Sequence, residues 1–321
     1  MSANGEAILR VATGTRKRAQ VLPNHSKDLF SVGGAASAGI GCGYDPVCDN
    51  AKRETYETVG GRTMKFASIL WFAACASVTA LLIGSAPAAA AAAEVGAKRV
   101  LLYSGSTGYR HESIDPGVAA LKSLATREGF SVDASDDPDI FNADRLKKYA
   151  VIVFLSTTTK PADSSTEWLI GERRDALQSF VHAGKGIVAI HAAADSHYHW
   201  PWFVQMIGGS FERHPRGTPT GVLTVIDAAH PSTRTLPKTI THVDEWYYFK
   251  DFDPRVRVLI TVDPGSIGET DVNPNPMSWA HEFEGGRVFY TGLGHTVETF
   301  GEAFFQTHIA GALHWAAGDA K

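Results

Sequence analysis

Apolar positions along this chain fall into short blocks separated by amphipathic stretches, and the alternation becomes regular from residue 98 onward. The blocks at 99–104 (RVLLYS), 130–134 and 150–155 (AVIVFL) lack a clear polar alternation, which predicts strands buried on both faces. Between them, Pro116 opens an amphipathic helix that runs to Arg127 and stops at Gly129, and residues 142–148 form a short helical turn. The longest helical pattern covers 166–183, with Leu169, Ile170, Leu177, Phe180 and Val181 on one side. A further apolar run at 187–190, bracketed by Gly184 and Gly186, ends at His191. This β-α-β-β-α-β order predicts an α/β fold: a mostly parallel sheet with helices on both faces.

After Pro215 the pattern changes. Strands are expected at 221–226, 255–262, 277–283 and 287–291, separated by loops rich in Pro, Gly and Asp, and some of them should pair antiparallel. A closing helix at 301–317 turns Phe304, Phe305, Ile309, Leu313 and Trp315 toward the sheet. No repeat is visible, and residues 94–321 read as a single domain.

The front of the chain is different in kind. From Met64 the sequence MKFASILWFAACASVTALLIGSAPAAAAAAE has a lysine, an apolar core and a small-residue tail with Ala-x-Ala sites, the parts of a secretory signal peptide over residues 64–93. Residues 1–63 then belong to an upstream start or form a disordered tail, and the expected location is periplasmic or extracellular. The alternative is an uncleaved membrane anchor. Cys42, Cys48 and Cys75 all precede residue 94, so the exported part has no thiol to oxidise. That part carries 21 basic and 28 acidic side chains, a net charge of −7, which excludes nucleic-acid binding by bulk attraction.

Candidate chemistry collects at the ends of the expected strands. In open parallel sheets ligands sit outside the carboxyl ends of the strands. His111 follows the first strand, His191 the strand at 187–190, and His295 the strand at 287–291. His214 in FERHP and Asp244-Glu245 in VDEWYYF join this set, and His197 and His199 lie nearby in sequence. Neutral imidazoles with a carboxylate suit a divalent metal such as zinc or manganese, with His111, His191, His214 and Glu245 as ligands. The same groups suit general acid–base work, with His191, His111, Glu245 and His295 as the catalytic candidates. No H-E-x-x-H spacing is present, and His191 read alone is equally a hydrogen-bonded core histidine.

Aromatic residues crowd the same region. Trp200, Trp246, Tyr247 and Trp279 could offer flat faces to sugar rings, with Arg110 and His214 as polar contacts, or they could simply fill the core. Trp246, Tyr247 and Tyr248 in succession cannot all point inward from a strand. There is no G-x-S-x-G elbow, and the glycines at 105 and 108 lack the dinucleotide and phosphate-loop patterns.

Four segments together, YSGSTGYRHESI (103–114), GIVAIHAAADSHYHWPWFVQMIGGSFERHP (186–215), VDEWYYF (243–249) and GRVFYTGLGHTVE (286–298), resemble the ThuA-like (trehalose-utilisation) domain across nearly all of 98–317. The resemblance implies a flavodoxin-like, doubly wound sheet similar to class I glutamine amidotransferases. Where those relatives keep a nucleophilic cysteine, this chain has His191-Ala192, which excludes thiolate glutaminase chemistry. His295 and Glu298 resemble the amidotransferase His-x-Glu with one residue too many. The resemblance further implies a carbohydrate ligand, a disaccharide or a 3-keto-glycoside produced by a partner sugar 3-dehydrogenase, and members of this fold commonly form homo-oligomers. The functional expectation is isomerisation or glycosidic cleavage through an enolate. A non-catalytic sugar-binding module is the alternative.

Overall fold

The computed structural model describes residues 96–319. The expectations for 1–63 and 64–93 lie outside the described residues.

Eleven strands and five α-helices follow one another from Arg99 to Ala316. The first half comprises β1 (Arg99–Tyr103), α1 (Ile114–Arg127), β2 (Ser131–Ser135), α2 (Ala143–Leu146), β3 (Tyr149–Leu155), α3 (Glu172–His182), β4 (Gly186–Ile190) and α4 (Pro201–Ile207). The second comprises β5 (Ser210–Arg213), β6 (Thr220–Val225), β7 (Thr239–Val243), β8 (Tyr248–Lys250), β9 (Arg257–Val262), β10 (Asn275–Phe283), β11 (Gly286–Thr291) and α5 (Ala303–Ala316).

Nine strands form one sheet in the order β2-β1-β3-β4-β11-β10-β9-β6-β7. From β2 to β11 all neighbours are parallel, and from β11 to β7 all are antiparallel. The parallel half has the flavodoxin-like order, with β11 in the place of the fifth strand. Its continuous apolar runs have a direct cause. Val100, Leu102, Val151, Val153, Val188 and Ile190 pack with Leu121 and Leu124 of α1 and Ile309 and Leu313 of α5. The alternate residues Leu101, Tyr103, Ile152, Phe154, Ile187 and Ala189 pack on the other side with Leu177, Phe180 and Phe203. Side chains alternate across a strand, so a sheet covered by helices on both faces needs apolar residues at every position.

Several expectations are corrected. Residues 167–170 are not helical: a 3-10 turn ends at Thr166, α3 begins only at Glu172, after Gly171 takes φ +52°, and Ile170 is exposed rather than packed on the helix face. Gly171 in that left-handed region breaks a pattern that hydrophobic spacing alone carries through. The edge strand β7 and the separate antiparallel pair β5-β8 were not expected from the pattern. β7 alternates one buried residue with one exposed, and Thr239–Val243 is too polar to stand out as an apolar run.

Candidate functional site

Three of the four closely grouped residues come from the carboxyl ends of parallel strands. His111 lies in the loop between β1 and α1, His191 directly follows β4, and His295 lies just beyond β11. β11 pairs with β4 in register, Thr291 opposite Ile190, so the segments leaving both strands emerge side by side. The backbone of His191 takes φ +50°, a left-handed conformation that non-glycine residues adopt at a cost. That conformation turns the chain sharply out of β4 into a 3-10 turn over His191–Ala194, whose residues are all buried. Glu245 arrives from the antiparallel half, in the segment between β7 and β8.

One ligand atom from each of His111, His191, Glu245 and His295 lies within 4.8 Å of all the others. His191 Nε2 is 3.3 Å from His295 Nδ1 and 3.6 Å from Glu245 Oε2, and His295 Nδ1 is 3.2 Å from the same oxygen. Four tetrahedral ligands about 2.0–2.1 Å from a zinc ion would stand roughly 3.3 Å apart, so these separations fit the edges of such a site. The donor chemistry fits as well. His191 Nδ1 is 2.8 Å from the Gly292 carbonyl, to which it can only donate, and this leaves the Nε2 lone pair facing the cluster. His111 Nδ1 is buried without a hydrogen-bond partner.

The electrostatics keep His191 and His111 neutral, as ligation requires. Burial, followed by the neighbouring His111, holds His191 well below the usual histidine range. Burial and then His295 lower His111 to about 4. His295 moves the other way, because its hydrogen bond to Glu245 favours the charged form.

His214 extends the group outward. Its Nδ1 lies 3.2 Å from Glu245 Oε1 and 2.7 Å from the Pro215 carbonyl, and its side chain is the most exposed of the four imidazoles. The Tyr247 ring lies 4.4 Å from that of His191 and is buried, and the Tyr290 hydroxyl donates to the His191 carbonyl at 2.9 Å. Below the cluster, Asp244 Oδ1 accepts the backbone amides of Glu245 and His295, and Oδ2 accepts that of Gly294.

Other singled-out residues lie elsewhere. Trp246 and Trp279 are fully buried, their indole N–H groups donating to the carbonyls of Pro219 and Ile207. Trp200 is buried in a stack with Trp202 and Phe203 under the Arg174 guanidinium. None of the three indoles presents a free face to a ligand, because packing against neighbouring side chains covers those faces. Arg110 is exposed and paired with Asp115 at 2.7 Å. His197 is buried among Trp168, Trp200 and Phe203, and His199 pairs with Glu167. Glu298 lines the cavity beside His295. Of Trp246, Tyr247 and Tyr248, only Tyr248 reaches the surface, with the Arg213 guanidinium over its ring.

Sequence reasoning missed Tyr109, Glu112 and Asp195 as parts of this region. Tyr109 is 63% exposed and its ring meets His111 edge-on at 4.8 Å. Its position two residues before His111, in a glycine-bearing loop at a strand end, was the available signal. Asp195 accepts a hydrogen bond from Tyr198, and burial, reinforced by the charge of Glu245, pushes its carboxyl up to about 6.

A family model described as ThuA, trehalose utilisation, matches residues 99–316. Among solved structures, a ThuA-like protein from Bacteroides uniformis is similar at 25% identity, with 68% of this chain and 91% of that one covered and a TM-score of 0.58. A ThuA-like protein from Parabacteroides merdae is similar at 21% identity, with 69% and 90% covered and a TM-score of 0.55. A glutamine amidotransferase from Thermotoga maritima is similar at 10% identity, with 68% and 98% covered and a TM-score of 0.48. No curated protein matches the chain.

Proposed function

Because the chain belongs to the ThuA, or trehalose-utilisation, family across residues 99–316, its role is carbohydrate-related, and we propose that it is an enzyme acting on a 3-keto-glycoside. The observation that carries this reading is the convergence of His111, His191, Glu245 and His295 within 4.8 Å. A divalent cation held there, zinc or manganese, would polarise the oxygens of a bound keto-sugar.

The side chains divide by depth. His191 and His111 are buried, so they fit as ligands rather than as groups that meet a substrate. This shifts the proton-handling role from His191 outward to His214. With the His214 Nδ1 hydrogen committed to the Pro215 carbonyl, Nε2 keeps a lone pair. A ketone at C3 acidifies the C2 proton, which Nε2 takes. The electron pair of the C2–H bond moves into a C2–C3 double bond, which places the negative charge on the C3 oxygen as an enolate. When the enolate collapses back to the ketone, the pair forms the C1–C2 double bond as the glycosidic C1–O bond breaks, and the departing oxygen takes up a proton. We assign that proton to Asp195, whose carboxyl burial pushes up to about 6. If the glycosidic bond stays intact, reprotonation of the same intermediate isomerises the sugar.

The 3-keto group must come from a separate oxidation, the work of a sugar dehydrogenase. The leader-like segment from Met64 supports placing this chemistry outside the cytoplasm. A purely sugar-binding module finds less support, since Trp200, Trp246 and Trp279 keep their rings in the core.

The test combines metal analysis of the purified full-length chain with incubation against 3-keto-trehalose and trehalose, with and without zinc or manganese. Turnover of the keto-sugar alone, lost on chelation, is expected. Unchanged 3-keto-glycosides under every metal condition would overturn the catalytic reading.

A further inference from the structure

A cavity of about 410 Å³ opens beside His295, bounded by Tyr109, Glu112, Thr218, Thr296, Val297 and Glu298. Its size falls within the range of about 300–1,000 Å³ common to small-molecule sites. Resting on the function proposed above, the geometry points to this cavity as the subsite that seats an uncharged sugar ring, with Tyr109 as its stacking platform and a bias against phosphorylated sugars.

Three observations support the assignment. Tyr109 is the most exposed aromatic residue among the described residues, at 63%, yet its loop is pinned. Its carbonyl accepts Thr158 Oγ1 at 2.6 Å and Ser106 Oγ at 3.2 Å, and its ring leans on His111. An exposed phenol held in place by its own backbone offers a pre-formed apolar face with a polar edge, which suits the C–H face of a pyranose. Second, the cavity touches the candidate centre directly through His295, whose Nδ1 lies 3.2 Å from Glu245. A ring seated against Tyr109 therefore adjoins the ligand cluster. Third, the lining contains the carboxylates of Glu112 and Glu298 and no lysine or arginine. Carboxylates accept hydrogen bonds from sugar hydroxyls, whereas a phosphate there would meet two like charges with no lysine or arginine of the lining to pair with.

The experiment measures binding of trehalose, 3-keto-trehalose and trehalose 6-phosphate to the full-length protein by calorimetry, for the wild type, Tyr109→Ala and Glu298→Gln, with metal content determined alongside. Tyr109→Ala is expected to weaken binding of both neutral sugars about 10-fold while metal content and thermal midpoint stay at wild-type values. Trehalose 6-phosphate should bind more weakly than trehalose to the wild type, and Glu298→Gln should narrow that gap. Wild-type affinity in Tyr109→Ala, or equal affinity for phosphorylated and neutral sugars, would overturn the assignment. Binding is read without turnover, so weakened binding by Tyr109→Ala in a protein that fails to convert the keto-sugar would spare the subsite and reject only the proposed reaction.

Discussion

Asp244 and His295 lie far apart in sequence, yet one carboxylate oxygen of Asp244 accepts the backbone amide of His295 at 2.9 Å and that of its own neighbour Glu245 at 3.0 Å. Two residues of the candidate centre are thus held to each other through one fully buried acid. The other oxygen takes the Gly294 amide at 2.8 Å and lies 3.1 Å from His242 Nε2. Asp244 acts as a positioning residue.

Replacing it tests that role. Asp244→Asn keeps the volume but turns one acceptor oxygen into an amide nitrogen facing donors. The loss of stability should be about 1–3 kcal/mol in chemical denaturation, the cost of leaving a buried donor unpaired. Metal affinity, measured by chelator competition, should fall about 10–100-fold, as it does when supporting partners of ligands are removed. A destabilised variant with wild-type metal affinity would confine Asp244 to folding.

His191→Gln removes the imidazole whose orientation the Gly292 carbonyl fixes. Zinc at about 100 times its Kd should stabilise the wild type by roughly 2.7 kcal/mol, visible as a rise in thermal midpoint, and should leave the variant nearly unmoved. Turnover of a 3-keto-glycoside should drop by about 10²-fold or more. An equal zinc response in both proteins would remove His191 from the ligand set.

Gly186 begins β4, and a Cβ there would collide with the Ala316 carbonyl at the end of α5. Gly186→Ala must push helix and sheet apart or strain the strand, so unfolding should show a loss of roughly 1–3 kcal/mol. Wild-type stability would mean that α5 yields easily at this end.

Acid should weaken the fold through buried histidines outside the ligand cluster. Burial lowers His308 and His230 to about 4 and His197 to about 3. Above the unfolded value of about 6.5 each is neutral in both states and costs nothing. As pH falls below 6.5 the unfolded chain takes up protons that the folded chain refuses, so stability drops until the folded values near 4 and 3 are passed. Denaturation at successive pH values should show a decline of roughly 1 kcal/mol per pH unit per histidine in that window. His308→Gln should flatten it, and an unchanged slope would mean that His308 finds a proton acceptor when folded.

The sequence by itself determined the parallel half of the sheet. Runs such as AVIVFL at 150–155 can be stable only when buried on both faces, and that burial requires helices on each side. It also determined that His111, His191 and His295 lie on the segments leaving strand ends, because each follows an apolar run either directly or after a short loop rich in glycine. Local pattern could not show β7 or the β5-β8 pair, whose strands are short and half polar, nor the break at Gly171. Only the tertiary structure decided that Trp246 and Trp279 turn into the core, and that of two adjacent acids Asp244 anchors backbone while Glu245 joins the imidazoles. Strand pairing and packing across the sheet fix those outcomes, and both depend on neighbours that lie far away in the chain.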